Sequence, residues 1–176
     1  MSNKVSLVIP VYDEEENVAL LTETVHQALS ALGCPTEAVF VDDGSADKTW
    51  EKLLEAARKY PNFRLIRFRR NFGQTAAMSA GINESTGDVI VTMDADLQNN
   101  PADIPKLLAR IDQGFDVVSG WRKNRQDPFI NRRLPSMLAN AMISKITGVA
   151  LHDYGCTLKA YRREVIKNVN LYGEMH

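Results

Sequence analysis

An α/β domain, built on a mostly parallel sheet with helices on both faces, is the fold class this chain predicts. Three observations carry it. Short runs rich in Val, Ile and Phe alternate with segments whose apolar residues recur at helical spacing, and the loops between them are short. No internal repeat, linker or low-complexity run interrupts the alternation, so the 176 residues read as a single domain.

Val5 to Ile9 reads as the first strand. From Glu14 to Leu32, Val18, Leu21, Val25, Leu29 and Leu32 mark one face of a helix that Gly33 ends. Ala38 to Val41 is a second strand and Asp47 to Tyr60 a second helix. Phe63 to Phe68 alternates as a third strand, and Gln74 to Glu84 is a helix of small residues. Ser85-Thr86-Gly87-Asp88 then turns the chain into a β-branched strand, Val89 to Met93. A helix over Ala102 to Gln113 and a strand over Asp116 to Ser119 follow. The last third predicts a long helix over Phe129 to Thr147, an edge strand over Asp153 to Tyr161 and a short helix over Arg162 to Val169.

Composition excludes several classes. With 44% hydrophobic and 24% charged residues and a net charge of −1, the chain is neither a nucleic-acid binder nor a disordered tail. Cys34 and Cys156 lie far apart and predict free thiols, not a disulfide framework or zinc site. No signal peptide opens the chain, and no segment has the ~20 apolar residues of a membrane span.

In open α/β sheets ligands bind beyond the carboxyl ends of the strands, where this chain concentrates its acids. Asp94-Ala95-Asp96 follows a buried strand, and two carboxylates there call for a cation. Together with the Gln98 amide they form a hard oxygen set suited to Mg²⁺ or Mn²⁺ carrying a diphosphate. A lone D-x-D is more simply a turn capping the next helix, but here it has company. Pro10-Val11-Tyr12-Asp13-Glu14 offers a flat ring to stack a base and a carboxylate for a ribose. Asp13, Glu15 and Glu16 read as first-turn acids that suit the helix dipole. Asp42-Asp43-Gly44-Ser45 offers an acceptor for a base edge, while Ser45 or Asp47 caps the next helix.

In this order, these segments resemble the family 2 glycosyltransferases of GT-A fold. The polyprenyl-phosphate sugar transferases, which include dolichyl-phosphate mannose synthase and bactoprenol glucosyltransferases, are the branch most alike. Arg69-Arg70-Asn71-Phe72-Gly73-Gln74, Met93 to Asn99, and Asp153 to Arg163 narrow it to that branch. The resemblance implies that Pro10, Tyr12, Glu14, Asp42, Asp43 and Asp94 bind the nucleotide, and that Asp94, Asp96 and Gln98 hold the metal. It implies that Arg122, Arg132, Ser136 and Lys159, with Arg162, grip the acceptor phosphate. Asp96, Arg122 and Asp153 are the implied catalytic residues, and Trp121 is expected beside the sugar.

The chemistry agrees with that branch. A lipid monophosphate is already ionised near neutral pH and needs little general-base help, but it does need cations to approach a diphosphate. Arg122, Lys123, Arg125, Arg132 and Arg133 supply them, although such a run is also a common solvated loop. The expected activity is inverting transfer of a hexose from a nucleoside-diphosphate sugar, UDP favoured, to a polyprenyl phosphate at the cytoplasmic face of a membrane. The expected domain is 1–176, cut before C-terminal membrane helices, with a homo-oligomer possible. A transferase acting on a saccharide hydroxyl and a non-catalytic nucleotide-sugar binding module are the competing readings.

Overall fold

The computed structural model describes residues 4–121 and 156–169. Among the described residues six strands form one sheet: β1 (Val5–Val11), β2 (Thr36–Asp42), β3 (Phe63–Arg67), β4 (Val89–Thr92), β5 (Val117–Ser119) and β6 (Lys159–Arg162). Five helices are interspersed among the same residues: α1 (Val18–Ser30), α2 (Thr49–Lys59), α3 (Gln74–Glu84), α4 (Ile104–Asp112) and α5 (Arg163–Ile166). A 3₁₀ turn over Pro101–Asp103 leads into α4. The predicted helix over Phe129 to Thr147 lies outside the described residues.

The spatial order is β3-β2-β1-β4-β6-β5. Strands β3, β2, β1 and β4 are mutually parallel, and β6 runs antiparallel between β4 and β5. The chain therefore winds outward through β1, β2 and β3, then returns to the other side of β1. That return makes the β1/β4 boundary the topological switch point, where ligand crevices open.

Strand alternation sorts the core into two layers. Leu7, Ile9, Ala38, Phe40, Val91 and Met93 pack with residues of α1, α2 and α4 on one face. Val8, Val39, Val41 and Ile90 meet Ala77, Met78 and Ile82 of α3 and Ile166 of α5 on the other. Helix α3 lies so close that a Cβ on Gly81 would collide with the Val8 side chain. The small-residue composition of α3 is what permits this contact.

Two expectations about elements are corrected. The strand predicted as an edge over Asp153 to Tyr161 is interior: its described part, β6, pairs with β4 and β5. Alternating sequence says that a strand has two faces but not how many neighbours it has. Helix α1 begins at Val18, not Glu14, and has no acid in its first turn. Asp13 and Glu15 instead bind the next loop, accepting from Ala46 N at 2.8 Å and Lys48 N at 3.0 Å.

Candidate functional site

A cavity of about 310 Å³ opens where β1, β2 and β4 end. Pro10, Val11, Tyr12 and Glu14 line it from β1, Asp43 from β2, and Asp94, Ala95 and Asp96 from β4. Asn71, Gly73 and Gln74 close it from the entry to α3.

The first wall is stapled to the second. Past β1, Asp13 takes a positive φ of 49°, its N–H donates to Ser45 Oγ, and Glu14 N donates to Thr49 Oγ1 at 2.8 Å. The Glu14 carboxylate accepts from Asn17 Nδ2 at 2.6 Å. Tyr12 is 47% exposed. The charge of Asp13, and then a hydrogen bond to it, push the Tyr12 phenol above its ordinary value, so at pH 7 it is a neutral ring. Asp47 accepts from the Thr49 and Glu15 amides, bonds that outweigh its desolvation and lower its pKa.

The adjacent acids of β2 have different surroundings. Asp42 is fully buried and does not line the cavity. Its Oδ1 accepts from Ser45 N at 3.0 Å, and Arg67 Nε lies 3.2 Å from Oδ2, off hydrogen-bond alignment. Arg67 also lies over the Trp50 ring. In this structure the Asp42 carboxylate ties the β2 turn to β3. Asp43 does reach the cavity. Its two oxygens accept from Phe72 N at 2.8 Å and Gly73 N at 2.9 Å, clamping the loop before α3. Gly44, at φ 75°, lets this turn lie against the Arg70 backbone.

On the third wall, Asp94 is half-buried and Asp96 exposed. Gln98 N donates to Asp96 Oδ1 at 3.1 Å, and Gln98 lines a second cavity, shared with Trp121, Ser119 and Cys156. The structure thus brings Asp94 and Asp96 to one cavity and leaves Gln98 and Trp121 beside another. Asn99 pins this loop by donating to Thr157 Oγ1 at 3.0 Å. Lys159 sits half-buried in β6, paired in register with Thr92 and Ser119. Arg122, Arg132, Ser136 and Asp153 lie outside the described residues. Neither Cys34 nor Cys156 is in a disulfide.

Asn71 and Gln74 line the cavity without having been singled out for a role. The available signal was their place in the Arg69–Gln74 motif, directly before a helix.

Among the described residues no three His, Cys, Asp or Glu side chains gather into a metal cage. Two hard carboxylates on an open, polar cavity fit an ion such as Mg²⁺ or Mn²⁺, which keeps several waters and takes oxygens from a phosphate.

The mostly parallel sheet with an acidic cavity at its switch point is the GT-A α/β fold, which the chain shares with the solved structures named below. The chain belongs to glycosyltransferase family 2: the model of that family, "Glycosyl transferase family 2", matches residues 6–169. It is 48% identical to dodecaprenyl-phosphate galacturonate synthase of Rhizobium johnstonii, over 99% of this chain and 52% of that protein. It is also 48% identical to undecaprenyl-phosphate 4-deoxy-4-formamido-L-arabinose transferase of Photorhabdus laumondii, over 93% of this chain and 50% of that one. The chain thus spans about half the length of the curated relatives it matches. Among solved structures, glucosyl-3-phosphoglycerate synthase of Mycobacterium tuberculosis superposes with a TM-score of 0.73 at 17% identity, over 95% of this chain and 59% of that one. A mannosyltransferase of Pyrobaculum calidifontis, in complex with GDP-Man and Mn²⁺, gives 0.67 at 20% identity, over 98% and 48%. At those identities the likeness speaks for the fold alone. No helix among the described residues is long and apolar enough to cross a membrane.

Proposed function

We propose that this chain is the catalytic domain of an inverting glycosyltransferase that moves a sugar from a nucleoside-diphosphate sugar, with UDP favoured, to a polyprenyl phosphate. The observation that carries the reading is 48% identity, across nearly the whole chain, to a transferase named for a dodecaprenyl phosphate. The cavity supports the donor half of it. Tyr12 offers its exposed ring to the base. Asp43 retains acceptor capacity beyond its two backbone bonds, and Glu14 is assigned to the ribose.

Asp94 and Asp96 would hold Mg²⁺ or Mn²⁺, which when bound supplies positive charge to the diphosphate leaving group. Inversion follows from direct displacement by an already ionised phosphate, with no enzyme nucleophile. Arg122, Arg132, Ser136 and Lys159 are assigned to the acceptor phosphate, and Asp153 to orienting it. A hexosyl donor is supported by the galacturonate in one relative's name, while the arabinose in the other's makes a pentose the alternative. Action at the cytoplasmic face of a membrane belongs to the same proposal, and the lipid phosphates in the relatives' names support a membrane surface as the place of reaction.

The test is transfer of labelled sugar from UDP-glucose, UDP-galacturonate or a UDP-pentose to undecaprenyl phosphate in detergent. Labelled lipid that appears with the native chain and disappears with Arg132→Ala supports the reading. Donor turnover onto a free saccharide hydroxyl, with none onto the lipid phosphate, refutes it.

A further inference from the structure

We propose that Gln74 is a positioning residue for Asp94, setting how that carboxylate is presented to a divalent cation in the donor cavity. The inference rests on the donor-site reading above and adds a residue to it. Gln74 is the first residue of α3, and its Nε2 donates to Asp94 Oδ1 at 2.5 Å across the cavity. Its own placement is set from β2. Asp43 holds the two preceding amides, Phe72 N and Gly73 N, and Gly73 O then accepts from Ala76 N and Ala77 N to start the helix. The end of β2 and the end of β4 are thereby joined through the first turn of α3.

An aspartate side chain turns freely about its last torsion, which has no sharp rotamer wells. A donor fixed on one oxygen sets the plane of the carboxylate and leaves lone pairs on both oxygens. An amide is suited to this task because it is neutral. A Lys or Arg in its place would orient the acid but also cancel its charge and repel an incoming cation. Other interactions also hold Asp94, so Gln74 sets its presentation and is not its sole anchor.

The experiment titrates Mn²⁺ into the full chain at fixed UDP and reads the melting temperature, with UDP alone measured in parallel. Gln74→Met keeps the length of the side chain and removes the donor. It should raise the Mn²⁺ concentration at half-effect about fivefold, with metal-free UDP affinity within about twofold. An unchanged Mn²⁺ midpoint overturns the proposal. So does an equal loss of metal-free UDP binding, because Gln74 would then be acting on the loop or the nucleotide. Failure of the donor-site reading looks different: the native chain shows no Mn²⁺-dependent response to UDP, or Asp96→Ala leaves that response intact.

Discussion

Removing the charge of Glu37 should destabilise the fold by about 2 kcal/mol near neutral pH and abolish one component of its acid sensitivity. Glu37 is 4% exposed at the amino end of β2, on the side of the sheet opposite the cavity. Its Oε1 accepts from Ser6 Oγ at 2.6 Å, Thr86 N at 2.6 Å and Thr86 Oγ1 at 2.8 Å. Lys4 Nζ stands 3.2 Å and Arg64 Nη1 3.5 Å from Oε2. One carboxylate thus ties β1, β2, β3 and the turn into β4. Burial alone would raise its pKa, but these bonds outweigh burial and take it from 4.5 to about 2.

A depression of that size corresponds to about 3 kcal/mol. The Lys4 and Arg64 side chains are 35% and 42% exposed, so solvent screens their share and about 2 kcal/mol is the expected remainder. Because the folded pKa lies below the unfolded one, the stabilisation is complete above about pH 4.5. It is lost as pH falls toward about 2. Glu37→Gln keeps the shape and one carbonyl acceptor but turns an amide toward Lys4 and Arg64. Urea unfolding followed by circular dichroism, at pH 7 and at pH 3, measures the effect on both proteins. The native chain should be more stable by about 2 kcal/mol at pH 7, with the gap narrowing at pH 3. Parallel curves with a constant gap would refute the assignment, since the lost stability would then not come from a titrating carboxylate.

Three further outcomes are expected. Asp96→Ala should leave the unliganded melting temperature unchanged, because Asp96 is exposed, and should remove the Mn²⁺-dependent part of any UDP-induced thermal shift. A shift identical to the native one would take Asp96 out of the site. Gly44→Ala combines a φ of 75° with a Cβ driven into the Arg70 backbone, so it should cost on the order of 2 kcal/mol and weaken nucleotide binding by displacing Asp43. Chemical denaturation and UDP titration of that variant check both effects. Gly81→Ala presses α3 off Val8, far from the cavity, and should destabilise by ~1–3 kcal/mol while nucleotide affinity survives in the folded fraction.

The order of strands and helices was legible in the chain because a sheet covered on both faces records its burial locally. Val89-Ile90-Val91-Thr92 is wholly buried in β4, and the 3.6-residue spacing of Val18, Leu21, Val25 and Leu29 became the buried face of α1. The acids at the strand ends were equally visible, since each follows its strand directly. Which acid faces the cavity was not. Asp42 and Asp43 are neighbours of identical chemistry, yet one reaches toward Arg67 and the other toward the amides of Phe72 and Gly73. Strand pleating sends adjacent side chains to opposite faces, and only the placement of β1 and α3 turns one face into a cavity wall. The interior position of β6 and the reach of Gln74 across to Asp94 have the same origin. Hydrophobic periodicity is written in consecutive residues, whereas strand neighbours and cavity partners are settled by contacts between segments far apart in the chain.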